Sequence, residues 1–182
     1  MHDNIKKRIN IATKRQPADL VIKNCKIVNV FTHEIIEGDI AISDGKIAAV
    51  GNYSGEKEVD AEGRYALPGF INSHIHIESS FVSPEEFSRL VVPHGTTTII
   101  ADPHEIVNVC GMDGFDYMVK AGKNAALDIK YMIPSCVPCT PWEHAGAVVD
   151  SKAISEVINQ DKVFGMGEFM NTVGVINTDS EV

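Results

Sequence analysis

His74 and His76 flank a single residue at the end of an apolar run, and Glu78 follows two positions later. In an extended chain residues i and i+2 face the same side, so both imidazoles can reach one cation. A lone histidine is more often a satisfied buried or surface group. Two at this spacing, after Pro68-Gly69-Phe70-Ile71-Asn72-Ser73, point instead to metal ligands. Asp102, His104 and Glu105 close a second apolar run and put three ionisable groups within four residues. They suit ligands, a carboxylate that orients a ligand histidine, or a proton shuttle, and compete with a polar turn capping the next helix. Gly165-Met166-Gly167-Glu168 closes another run. Its glycines allow close backbone approach, and Glu168, at the same rim as the histidines, is the natural carboxylate ligand, able to bridge two cations.

Several shorter motifs fail on inspection. His104-Glu105-Ile106-Val107-Asn108 begins like a zincin helix but has Asn108 where the second histidine belongs. Gly165-x-Gly167 lacks the third glycine and the acidic follower of a dinucleotide site. Cys136-Val137-Pro138-Cys139 has no second cysteine pair, so small apolar loop residues are the expectation. His76-x-Glu78 with Cys136-x-x-Cys139 imitates the zinc deaminase signature, yet Ser135 stands where proline is required and His74 would go unused.

The elements that must hold these groups follow from periodicity. After Pro68, strand patterns over 70–76, 96–101, 128–133 and 163–169 alternate with helical stretches, as in successive βα units of about 30 residues. Ser83-Pro84-Glu85-Glu86 is a helix start. Phe115, Met118 and Val119 mark the face of the second helix, and Ile154, Val157 and Ile158 that of the third. The chemically loaded residues thus sit at strand C-terminal ends, where parallel α/β barrels place their active sites. Residues 19–67 read as a small antiparallel β domain with a hairpin turn at Asp44-Gly45. Residues 1–18 read as an N-terminal helix ending before Pro17, with Ile5, Ile9 and Ala12 as its packing stripe.

The 182 residues fall short of the roughly 250 of a whole eight-unit barrel. The expected fold is therefore α/β: the small β domain at 19–67, then at 68–182 the first half, about four βα units, of a metal-dependent (β/α)8 barrel. A net charge of −9 argues against a nucleic-acid or anionic-lipid partner. No apolar run reaches membrane-span length, no signal peptide is evident, and four cysteines are too few for a disulfide scaffold, so a cytoplasmic protein with reduced thiols is expected.

The stretch Val59-Asp60-Ala61-Glu62-Gly63-Arg64-Tyr65-Ala66-Leu67-Pro68-Gly69-Phe70-Ile71-Asn72-Ser73-His74-Ile75-His76 resembles the junction of small β domain and first barrel strand in the amidohydrolase superfamily. With the blocks at 76–80, 101–106, 134–138 and 167–171, the chain is similar over nearly its whole length to the bacterial adenine deaminase family. That resemblance implies hydrolysis of adenine to hypoxanthine and ammonia by a metal-bound hydroxide, at a manganese or iron centre, with zinc as a further candidate. It implies His74 and His76 as paired ligands and Glu168 as the carboxylate that replaces a modified lysine of many relatives. Asp102, His104 and Glu105 match a family block and are the catalytic candidates, their individual roles open. The family's later strands supply further histidines and an aspartate with no counterpart here. The chain is therefore expected to be an N-terminal portion, inactive alone, that self-associates or pairs with the missing barrel half. Another amidohydrolase acting on a cyclic amide, and a catalytically dead interaction module, are the alternatives.

Overall fold

The computed structural model describes residues 2–182; Met1, which opens the expected N-terminal helix, lies outside the described residues. The residues up to Pro68 form one compact unit and Gly69–Val182 a second.

In the first unit, α1 spans His2–Ala12. It stops well before Pro17 because Lys14 turns left-handed at φ 60°. The Lys14 N–H then donates to the Ile11 carbonyl and the Arg15 N–H to the Asn10 carbonyl, a Schellman closure with lysine in the usual glycine place. The expected stripe is corrected, since Ile5, Ile9 and Ala12 are exposed. Ile11 is the buried residue, packed with Ala18, Val21 and Ala41, and one turn earlier Lys7 reaches Asp19 at 2.8 Å. An ion pair thus joins one apolar contact to seat the opposite face, which two positions along the chain place about 200° away.

Five strands follow: β1 Ala18–Asn29, β2 Glu34–Ser43, β3 Lys46–Gly51, β4 Gly55–Asp60 and β5 Tyr65–Ala66. β1, β2 and β3 are antiparallel neighbours, and Asp44 and Gly45 both take positive φ in the tight turn that pairs Ser43 with Lys46. The expectation of an antiparallel sheet fails beyond them. β4 and β5 both run parallel to β1, so the sheet is mixed. β1 is one long strand of 12 residues. A bulge between Ile22 and Cys25 inserts a residue and flips the alternation, so Cys25 and Ile27 join Ile22 in a second cluster while Val21 packs under Ile11.

The second unit contains β6 Phe70–Ile75, α2 Pro84–Val91, β7 Thr96–Ala101, α3 His104–Gly122, β8 Asp128–Ile133, α4 Ser151–Val157, β9 Gly165–Met166 and α5 Thr172–Ile176. The sheet runs in the order β6-β7-β8-β9, all parallel. Sequential parallel strands, each followed by a helix, are the architecture of four (β/α)8-barrel units. Ile77, Ile99, Ile133, Val107 and Phe115 are fully buried in its core. α2 begins as expected, with the Glu86 N–H donating to the Ser83 hydroxyl and Pro84 in first position.

β7 and β8 coincide with the expected strands. β6 stops one residue before His76, which stays extended at φ −102° and ψ 104° and so keeps the shared side with His74. The fourth strand is shorter than the expected 163–169. The Val163 N–H is used in a turn onto the Gln160 carbonyl, and the ladder to β8 ends when the Gly167 N–H donates to the Ile133 carbonyl.

Candidate metal centre

β6 and β9 are three places apart in the sheet order, but the parallel ladder carries the C-terminal ends of both strands to the same rim. Glu168 thereby meets both histidines. His74 Nε2 and His76 Nε2 are 3.1 Å apart, and one Glu168 oxygen lies 3.5 Å from the first and 3.2 Å from the second. The three ligand atoms all fall within 4.8 Å of one another. Atoms about 2.0–2.2 Å from a shared cation take such spacings, and two imidazole nitrogens with one carboxylate oxygen suit a divalent transition metal. These donors therefore fit a metal.

Asp102 sits behind this group. Its N–H donates to the Ile75 carbonyl, fixing β7 against the histidine strand, and its Oδ2 accepts from the Glu168 N–H at 3.3 Å. A Cβ on Gly167 would lie 2.3 Å from Asp102 Oδ2, so only glycine lets the segment carrying Glu168 approach this closely. Asp102 is fully buried and its Oδ1 has no partner. Burial pushes its carboxyl above the ordinary range, with His104, the Glu168 N–H and both site histidines pulling the other way.

Glu105, on the first turn of α3, brings Oε2 to 3.1 Å from His76 Nδ1, too poorly aligned to be a hydrogen bond. Its other oxygen accepts from the Ser79 hydroxyl at 3.1 Å. For His76, burial is the largest influence and lowers its pKa, yet Glu105, Asp102 and Glu168 together hold it above the ordinary value. Of the six expected residues, His74, His76, Glu168 and Glu105 share one mouth and Asp102 supports it from beneath. His104 turns away: its Nε2 is 3.3 Å from Cys139 Sγ.

The roles of two contributors, Glu78 and Ser135, escape a reading by residue type and spacing. Glu78 accepts from the Ile106 N–H at 3.2 Å, so it caps α3 and aims that helix's first turn at His76. Burial raises its carboxyl. The Ser135 hydroxyl donates to the Glu168 carbonyl and so steadies the third candidate donor. Their partners are backbone groups distant in sequence, which leave no trace in local patterns. The zinc deaminase imitation dissolves as well, because Glu78 is occupied by α3 and Cys139 faces His104.

Residues 65–182 match the sequence profile of the amidohydrolase family. Adenine deaminase 2 of Desulfotalea psychrophila is 62% identical over 173 residues, which make up 95% of this chain and 30% of that protein. Adenine deaminase of Clostridium acetobutylicum is 52% identical over 178 residues, 98% of this chain and 31% of that protein. The chain thus spans less than a third of the length of these relatives. An atrazine chlorohydrolase of Arthrobacter aurescens, complexed with zinc and atraton, superimposes with a TM-score of 0.52 at 20% identity, over 64% of this chain and 36% of that one, a likeness of fold.

Proposed function

This chain belongs to the amidohydrolase family, and from that membership we propose that it supplies the metal-binding rim of an enzyme that hydrolyses adenine to hypoxanthine and ammonia. The observation that carries the reading is the convergence of His74, His76 and Glu168 at the ends of parallel strands. The identities of 52–62% to adenine deaminases support adenine as the substrate.

In this reading His74, His76 and Glu168 hold a divalent cation, manganese or iron, or else zinc. When bound, such a cation supplies Lewis acidity that makes water a nucleophile near neutral pH. Glu105, beside His76 and open to solvent, is placed to take a proton from water and pass it to the departing nitrogen. Asp102 positions Glu168 by accepting its N–H, and Glu78 positions Glu105 through the N-terminus of α3. His104, turned to Cys139, takes no part at the rim. The boundary at 67 divides a scaffold from this chemistry, with the helix at 1–18 packed as part of that scaffold and residues 19–67 carrying no convergent polar group of the kind found at the rim.

The four free cysteines suit a reducing, cytoplasmic setting, and hydrolysis of adenine would give the chain a place in purine salvage. No described helix is long and apolar enough to cross a membrane. Exposed Ile71, Phe164 and Met166 support pairing with a complementary barrel segment.

Ammonia release from adenine tests this. The 182-residue chain alone is expected to give trace turnover. Mixed with the segment of the Desulfotalea psychrophila relative that it does not match, it is expected to turn over adenine, and His74→Ala is expected to abolish that gain. A mixture that hydrolyses hydantoin or dihydropyrimidine and leaves adenine untouched would overturn the substrate assignment.

A further inference from the structure

His104, Cys139 and Met170 form a second donor cluster, apart from the rim. Cys139 Sγ lies 3.3 Å from His104 Nε2 and 3.8 Å from Met170 Sδ. The three come from separate segments: the first residue of α3, the loop after β8 and the stretch after β9. We propose that these side chains form a binding site for a soft monovalent cation, cuprous copper, through His104 Nε2, Cys139 Sγ and Met170 Sδ.

The donors decide the class. A thioether is a poor ligand for manganese or magnesium, whereas thiolate plus thioether selects a soft, polarisable ion. The spacing agrees: with metal–nitrogen and metal–sulfur distances of about 2.0 and 2.3 Å, the observed separations give angles at the ion of about 100° and 110°. His104 is almost wholly buried, and its Nδ1 has no partner, so the ring is held by its surroundings and by the sulfur it faces. Burial, with Glu143 adding to it, pushes the Cys139 thiol up to about 11. The free thiol is therefore no nucleophile near neutral pH, while the Glu143 carboxylate favours an incoming cation. Binding replaces the S–H bond by a sulfur–copper bond and releases one proton to solvent, with no change of oxidation state.

The test is an anaerobic titration of the chain with cuprous ion against a chromophoric cuprous chelator, followed by copper X-ray absorption. All samples carry Cys110→Ser, since Cys110 is an exposed thiol that would bind the ion unspecifically. One equivalent is expected to bind, with two sulfurs and one imidazole nitrogen around the copper. Cys139→Ser is expected to weaken binding by about 100-fold or more and Met170→Leu by about tenfold. Both changes keep side-chain volume nearly constant, and circular dichroism of each variant is read alongside. Equal affinity in folded Cys139→Ser and the parent, or a copper spectrum without sulfur neighbours, would overturn the site. Loss of affinity with Cys139→Ser but none with Met170→Leu would remove the thioether and with it the assignment to a soft monovalent ion.

Discussion

Asp39 and Asp102 are both buried, one in each unit, and their surroundings are opposite. Asp39 accepts from Lys23 Nζ at 2.6 Å, and from the Asn24 and Tyr53 N–H groups, each at 3.1 Å. Burial is the largest single influence and raises its pKa, but Lys23 and the two N–H groups overcome it and hold the carboxyl below the ordinary range. Asp102 accepts only from the Glu168 N–H and leaves one oxygen bare, and there burial prevails. The contrast extends to the units. Among the described residues, the buried side-chain nitrogen and oxygen atoms without a partner are His76 Nδ1, Glu78 Oε2, Asp102 Oδ1, His104 Nδ1 and Asn108 Oδ1, all in the second unit between positions 76 and 108. Polar groups that complete one another internally build a scaffold. Polar groups left incomplete cost free energy, and here they gather around and beneath the candidate metal centre.

The sharpest way to break this comparison is to strip the rim. His74→Ala with His76→Ala is expected to weaken manganese binding, followed by calorimetry, by more than about 100-fold, beyond the effect of losing an outer partner. Thermal stability is expected to stay near that of the parent, because both rings are partly exposed. Unchanged manganese affinity would leave the rim without a function. Gly167→Ala comes next. Its Cβ would collide with Asp102 Oδ2, and overpacking of this kind costs about 2–3 kcal/mol, read from denaturant unfolding.

Asp39→Asn removes charge from a completed group and is expected to cost about 1.5–2 kcal/mol, seen as faster hydrogen exchange at the Asn24 and Tyr53 amides. Its pH dependence has a definite sign. Because the folded carboxyl lies below its unfolded value, its stabilising contribution is complete above about pH 4 and is lost as pH falls through the folded value. Asp102 and Glu78, raised by burial, behave inversely: their charged forms weaken the fold as pH climbs from about 4 through their folded values. Asp102→Asn is accordingly the smallest effect on stability, within about 1 kcal/mol at neutral pH, since it removes a partly unsatisfied buried charge. A loss as large as that of Asp39→Asn would erase the distinction between the two aspartates.

The sequence made some of this legible and hid the rest for physical reasons. The paired histidines are readable because strand alternation is local, and β7 because a β-branched run of Thr and Ile bounded by turns has few alternatives. The bulge in β1 was hidden, since one inserted residue changes the alternation without changing composition. Parallel addition of β4 and β5 depends on contacts between distant segments. The seat of α1 departs from its apolar stripe because Lys7, paired with Asp19, behaves as an inward residue. The run from Val163 to Phe169 reads as longer than β9 because both ends look like strand residues, while the Val163 N–H closes a turn onto the Gln160 carbonyl. Glu168 was anticipated as a ligand, but the interplay of Gly167 and Asp102 that brings it there exists only in three dimensions.

The most direct test of the metal rim is the manganese X-ray absorption spectrum of the metal-loaded chain. Two imidazole rings and carboxylate oxygen should surround the metal in the parent, and the imidazole scattering should vanish in the His74→Ala, His76→Ala variant. A parent spectrum with oxygen neighbours only, or one that the double substitution leaves intact, would contradict the assignment of His74, His76 and Glu168 as the ligands.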